Sequence, residues 1–309
     1  MTDISKTIVV LGATGQQGGS VAAALRADGW RVRAVVRDPS GRRARSLSAS
    51  GVETVRGDLG DPESLRAAFA DAHGVFSVQP NSGQAGADVT NEDEVRFGTA
   101  VADIAERCGV AHLVYSSAVT AGSTTGVDHL DTKGRVEAHL RNLDIASTII
   151  RPAAFMELLV TREMGLDRGH LSFLMRPDQA MQFIAVRDIG RIVAAVFGSP
   201  ESYAGRTMEI AGDALTGNAL AEHLTRAAGR PISYGRLSTI LPTQDEVVSE
   251  VVSKLEALVD DGRLVGNANL GALRAEFPFL LRFDRWLAGP GGNLLDEALR
   301  STDSGIGPG

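Results

Sequence analysis

Three glycines spaced three apart, in Gly12-Ala13-Thr14-Gly15-Gln16-Gln17-Gly18, follow the apolar, β-branched run at 8–11 and open a helical pattern. Such a segment has to end a strand, reverse tightly and begin a helix whose first amides stay unobstructed. It therefore commits the chain to a βα unit, and the residues after it repeat that unit. Val21, Ala24 and Leu25 share one helical face, with Gly29 as the stop. A strand is expected at 32–36, a helix at 42–50 and a weak strand at 52–55. Asp61-Pro62 then supplies a cap and a first-position proline for a helix carrying Leu65 and Phe69. A strand at 75–78 precedes a long helix with Val101, Ile104, Ala105 and Cys108 at i, i+3, i+4, i+7 and Gly109 behind them. Strands at 113–116 and 148–150 close the series. Repeated β-then-α steps imply parallel strands with right-handed crossovers, so the expected fold class is α/β, a doubly wound parallel Rossmann sheet.

After Pro152 the regularity loosens. A strand is expected at 181–186, a helix at 188–197 and a strand at 207–210. A capped helix follows at 216–228, ending at Gly229, and an amphipathic helix at 247–259 carries Leu255 and Leu258. The expected organisation is a dinucleotide-binding domain at 1–152 and a smaller C-terminal α/β lobe at 153–300, interleaved with the sheet. The Gly- and Ser-rich end at 301–309 reads as a disordered tail. With 43% hydrophobic residues in 309, the chain can bury one large core or a large core plus a small lobe. Its formal net charge of −7 repels polyanions, and no basic helix opposes that field, so no direct nucleic-acid partner is expected. The single cysteine, Cys108, cannot form an internal disulfide and reads as a buried small hydrophobe in its helix. No stretch has the apolar length of a signal peptide or a membrane span, so a cytoplasmic location without membrane association is expected.

The glycine loop carries the first functional reading. Glycines there let backbone approach a pyrophosphate, and the free amides at the helix N-terminus receive its negative charge. A plain structural turn is the alternative. The end of the second strand decides between cofactors: an acid suits the ribose hydroxyls of NAD, a basic residue the 2′-phosphate of NADP. That strand ends in Arg37, with Arg42 and Arg43 close behind, which favours NADP. Asp38 keeps NAD open if the strand ends one residue later, and Arg43 and Arg45 read more readily as solvated surface than Arg37 does. Gly57-Asp58-Leu59 follows the third strand, where an Asp-hydrophobe pair either covers adenine or simply caps a turn.

These motifs resemble those of the NmrA-like group of atypical short-chain dehydrogenases/reductases. The resemblance rests on Gly12-x-x-Gly15-x-x-Gly18, Val-Val-Arg37-Asp-Pro, Gly57-Asp58-Leu59 and Tyr115-Ser116-Ser117. Further matches are Asp131-x-Lys133-x-x-Val136-Glu137, Arg151-Pro152-Ala153-Ala154-Phe155, Phe183-Ile184-x-Val186-x-Asp188-Ile189-Gly190 and Phe283-x-x-Trp286-Leu287. They span roughly residues 7 to 287, and the stretch at about 240–269 matches only loosely.

The resemblance implies that the glycine loop, Thr14, Gln16 and Gln17 included, wraps the pyrophosphate of NADP(H) while Arg37 faces the 2′-phosphate. By the same token Asp58 and Leu59 bracket adenine, and Gln79-Pro80-Asn81 lies along the adenosine ribose. Lys133 reaches the nicotinamide ribose, the backbone at Pro152 and Ala153 meets the carboxamide with Phe155 close by, and the C-terminal lobe closes over the nicotinamide. Catalytic members of the wider family place a Tyr four residues before the Lys, where the lysine charge makes it a usable proton donor. Here that position is His129, and Tyr115, Tyr203 and Tyr234 lie elsewhere. Ser116 or Ser117 could polarise a carbonyl oxygen. His129 could donate a proton, since imidazole titrates near about pH 6.5, or be an ordinary residue of a polar loop.

No Cys-x-x-Cys or His-Glu-x-x-His spacing suits zinc, and neither Gly-x-Ser-x-Gly nor a Walker ending occurs. Two functional classes are left. One is an NADPH-dependent reductase of a small carbonyl, quinone or similar acceptor, with Lys133, Ser117 and His129 as its catalytic candidates. The other is an NADP(H)-responsive regulator that binds cofactor without turnover and acts through a protein partner. A homodimer is among the assemblies open to either.

Overall fold

The computed structural model describes residues 6–83, 88–240 and 246–300. Strand and helix alternate through the first part: β1 (Thr7–Val10), α1 (Gln16–Ala27), β2 (Arg31–Val36), α2 (Arg42–Ala49), β3 (Glu53–Arg56), α3 (Pro62–Phe69) and β4 (Ala72–Ser77). Then come α4 (Asn91–Arg107), β5 (His112–Ser116), α5 (Asp128–Leu140) and β6 (Ser147–Pro152). Next are β7 (Ala154–Phe155), three short 3-10 turns, β8 (His170–Phe173), β9 (Ala180–Ile184), α6 (Val186–Gly198), α7 (Pro200–Tyr203) and β10 (Thr207–Ile210). Beyond these lie β11 (Asp213–Thr216), α8 (Gly217–Ala228), β12 (Ser233–Arg236), α9 (Leu237–Ile240), α10 (Glu246–Asp260), α11 (Leu270–Glu276), α12 (Phe283–Leu287) and α13 (Gly292–Leu299).

Seven strands form one sheet in the order β10-β6-β5-β4-β1-β2-β3, every pairing parallel. This is the doubly wound Rossmann-type sheet. A parallel sheet buried on both faces needs unbroken apolar strands, and β1 supplies Ile8, Val9 and Val10, each fully buried. On one face Val9, Leu11, Leu65, Phe69, Val101 and Tyr115 belong to a single cluster. On the other, α1 packs on α6 so closely that a Cβ at Gly190 would lie 2.4 Å from the Ser20 carbonyl oxygen. The strand order reverses on either side of β1, between β2 and β4. In such sheets ligands bind beyond the carboxyl ends of the strands at that reversal, which is where the glycine loop starts.

The described residues form two compact units, one of those up to 152 together with 186–210 and one of 153–185 together with those from 211 to 300. The segment 186–210, grouped by sequence with the C-terminal lobe, belongs to the first unit because β10 pairs with β6 and α6 lies against α1. The second unit holds two small sheets, β11-β9-β7 and β12-β8, around a core that includes Met156, Phe183, Leu220, Phe283 and Trp286. Trp286 stacks on Phe283 at 5.6 Å between centroids and donates its indole N–H to Glu157 Oε1 at 3.2 Å.

Asp61 caps α3 through the amides of Glu63 and Ser64, with Pro62 at the first position, as its sequence signature indicates. The strand expected to run to 186 ends at Ile184, and Val186 begins α6. Cys108 is half-buried rather than buried, because α4 stops at Arg107 and leaves it at the C-cap. The tail expected at 301–309 lies outside the described residues.

Candidate functional site

The three glycines of the loop have three different jobs. Gly12 takes a φ of +64, the left-handed turn that ends the strand, and a Cβ there would sit 2.9 Å from Val78 Cγ1. Gly15 donates its amide to the Gly12 carbonyl at 2.8 Å and stands at the N-cap of α1 with extended backbone. At Gly18 a Cβ would lie 2.4 Å from the Gly12 carbonyl carbon and oxygen, so only glycine lets the helix pass so near the strand end. No side chain caps α1. The first-turn amides of Gln16, Gln17 and Gly18 thus lack intrahelical acceptors at the positive end of the helix dipole, and Thr14, Gly15 and Gln16 are exposed. Ser116 at the end of β5 donates to Gln17 Oε1 at 2.7 Å and ties the loop to the sheet.

Beyond β2, Arg37 is exposed and has no hydrogen bond or ion pair among the described residues. Asp38, the competing reading at this strand end, is occupied by its own turn. Its Oδ1 accepts the Ser40 amide at 2.9 Å and the Ser40 hydroxyl at 2.6 Å, and these bonds hold its carboxyl below the usual carboxylate range. Arg43, on the first turn of α2, reaches the Thr14 carbonyl at 3.4 Å. Sequence reading left Arg43 among surface arginines, since nothing local marks a residue that folds back on a loop 29 positions earlier. Beyond β3, Asp58 Oδ1 caps the Gly60 amide at 2.7 Å, while Leu59 is half-buried against the core.

Gln79, after β4, is 4% exposed; its amide nitrogen donates to Ser77 Oγ at 2.8 Å and its buried Oε1 has no partner among the described residues. Buried polar atoms are nearly always satisfied, so this oxygen fits a ligand donor. Pro80 and Asn81 follow it, both half-buried.

The residues around α5 are tied into buried polar contacts. Ser117 is buried and its hydroxyl donates to Glu137 Oε1 at 2.5 Å, which commits its one proton. Glu137, fully buried, also accepts from Arg151 Nε at 2.9 Å and Nη2 at 2.7 Å and from Arg141 at 2.6 Å. Lys133, 7% exposed, forms an ion pair with the fully buried carboxylate of Glu94, whose other oxygen accepts from Thr132 Oγ1 at 2.8 Å. His129 is not in a loop. Asp131 stitches the preceding turn by accepting the Thr125 and Gly126 amides at 2.7 and 3.2 Å, so α5 begins at Asp128 and takes His129 into its first turn. The imidazole is half-buried against Gly83, and burial lowers its pKa, so it is mostly neutral near pH 7. Tyr115 is no substitute donor: its hydroxyl is buried without a partner among the described residues, and burial with Glu94 and Glu137 nearby pushes its pKa well up.

Pro152 is buried at the end of β6 against β10, and in the second unit Ala153 is buried and Phe155 half-buried. Glu94 is the residue that sequence reading missed outright. Its signal was available: it shares a helical face with Phe97, Val101 and Ile104, so an acid sits on an apolar stripe. Among the described residues no cluster of three or more His, Cys, Asp or Glu could hold a metal, and no helix is long and apolar enough to cross a membrane.

The chain is similar to known proteins. The chain is 31% identical over 225 residues to an NmrA-like family domain-containing oxidoreductase, FrzB, of a Cladobotryum species, covering 65% of this chain and 67% of that protein. It is 27% identical over 267 residues to the NAD(P)H azoreductase of Xenophilus azovorans, covering 84% and 89%. Among solved structures, NmrA, a negative transcriptional regulator, superposes in its NADP complex with a TM-score of 0.78 at 21% identity over 94% of this chain and 97% of that one. Its NAD complex gives 0.77 at the same identity and coverage. Residues 4–266 match the NmrA-like family, and with the glycine loop and seven-stranded parallel sheet in place, the chain belongs to that family.

Proposed function

We propose that the protein binds NADP(H) and reduces a small acceptor of the carbonyl, quinone or azo type. The observation that carries the reading is the exposed, uncapped glycine cradle at the head of α1, with an unpaired Arg37 beyond the neighbouring strand. Helix-start amides receive a diphosphate, and a free guanidinium at the end of β2 suits the 2′-phosphate that distinguishes NADP from NAD. Asp38, bonded within its own turn, is the weaker competitor for a ribose. Asp58 and Leu59 serve the adenine, Gln79 to Asn81 the adenosine ribose, and Lys133 the nicotinamide ribose. Pro152, Ala153 and Phe155 serve the carboxamide.

NADPH, when bound, would supply the hydride from its dihydronicotinamide ring. Proton supply is where this chain is sparing, since Ser117 is committed to Glu137, Tyr115 is sealed in the core and His129 is largely neutral. Acceptors that tolerate weak acid assistance, quinones and azo compounds, suit such a site better than ketones. A relative named as an azoreductase agrees with that preference.

One observation favours a second reading, a regulator that senses the cofactor without turnover: Lys133 and Ser117 are both engaged by buried glutamates. Purified protein with NADPH and a panel of quinones, aldehydes and azo dyes separates the two. A reductase consumes NADPH, and Lys133→Ala slows it by removing charge that offsets the developing oxyanion. No consumption, together with different protection from proteolysis by NADPH and NADP⁺, would establish the regulator. A regulator needs unequal affinity for its two states, so equal protection without turnover would refute both.

A further inference from the structure

We propose that Glu94 is the positioning residue for Lys133, fixing the ammonium where the nicotinamide ribose is held. The proposal rests on the assignment of Lys133 to the cofactor site made above. Glu94 is fully buried on the apolar face of α4, a place where an unpaired carboxylate would be costly. Its two oxygens are divided between successive residues of α5. One pairs with Lys133 Nζ and the other accepts the Thr132 hydroxyl at 2.8 Å. Thr132 Oγ1 also lies 3.1 Å from the His129 carbonyl, which anchors it to its own helix. Turning the carboxylate part-way therefore disturbs both the ion pair to Lys133 and the hydrogen bond from Thr132.

The helix that carries Glu94 is itself braced. A capping box between Thr90 and Asp93 fixes its start, and Asp93 immediately precedes Glu94. Arg135 on α5 grips Glu92 through both oxygens at 2.7 and 2.9 Å, and His139 meets Asp103 at 2.6 Å further along. A lysine ammonium on a four-carbon stem samples many rotamers, and holding it in one place costs side-chain entropy. Glu94 meets that cost in the fold before any ligand arrives. Lys133 is then presented as a fixed charge rather than a searching one, which is what orienting a ribose requires.

The test compares two ligands by calorimetric titration. NADPH spans the whole site, whereas adenosine 2′,5′-bisphosphate carries the 2′-phosphate but no nicotinamide ribose. Glu94→Gln removes the charge at constant volume, and Glu94→Asp keeps the charge but withdraws it by one methylene; the second carries the test if the first does not fold. The expected result for either is NADPH binding weakened by roughly tenfold, the loss of one charge-assisted hydrogen bond, with bisphosphate binding unchanged. Equal weakening of both ligands would make Glu94 merely structural and overturn the proposal. Unchanged NADPH binding in the Glu94 variants, where Lys133→Ala weakens it, would overturn the proposal and spare the cofactor assignment. If Lys133→Ala itself leaves NADPH binding intact, the assignment of Lys133 falls and the proposal with it.

Discussion

Arg37→Ala isolates the choice of cofactor. The guanidinium has no partner among the described residues and lies exposed, so its removal breaks nothing in the folded protein, and thermal stability should stay at the wild-type value. What is lost is its pairing with a 2′-phosphate. A charge-assisted hydrogen bond contributes about 1.5–3 kcal/mol, or roughly 10- to 150-fold in Kd. Exposure screens the pair, which puts the expected loss near the lower end, roughly tenfold. Calorimetric titration with NADPH and NADH reads the effect directly: NADPH weakens and NADH does not. Arg43→Ala, which removes a guanidinium already bonded to the loop at Thr14, should add a smaller loss of its own. Equal losses for NADPH and NADH on Arg37→Ala would refute the reasoning and return Asp38 to consideration as a ribose ligand.

Gly15→Val should abolish NADPH binding while circular dichroism stays native, because the backbone at Gly15 is extended and the added branch crowds the cradle, its Cβ 3.3 Å from the Gly12 carbonyl. His129→Phe should leave NADPH affinity unchanged and lower kcat by less than the roughly 100-fold typical of a lost general acid; a full loss of that size would make His129 the proton donor after all. Glu137→Gln removes the charge shared by Arg151, Arg141 and Ser117, and should destabilise the fold by about 3 kcal/mol, the lower end for a broken buried pair, read as a fall in Tm. Burial raises the Glu137 carboxyl, but the hydrogen bonds of Arg151 and Ser117 outweigh it and hold it below its ordinary 4.5. A carboxyl depressed in the fold lends stability above its unfolded pKa and loses it as pH falls through the folded one. Wild-type Tm should therefore drop on acidification below about pH 4.5, and the Glu137→Gln variant should lack that component.

Features that depend on neighbours along the chain were legible in the residues themselves. The glycine spacing, the alternation of apolar runs with helical stripes and the Asp61-Pro62 start are local patterns, and the parallel sheet follows because crossover connections allow little else. Arg37 stood out for the same reason, as the basic residue at the end of the strand expected at 32–36, and it directly follows β2. Short elements such as β7, β8 and β12 escaped because two to four residues carry no period. The tertiary structure alone decided which polar groups are free. Asp38 is bonded within its own turn, Ser117 donates its hydroxyl to Glu137 on α5, and Lys133 meets Glu94 across the α4–α5 contact. Side-chain partners are chosen by distance in space, and a buried charge must take whichever opposite charge the packing brings within reach, so no pattern of residue types along the chain can name that partner.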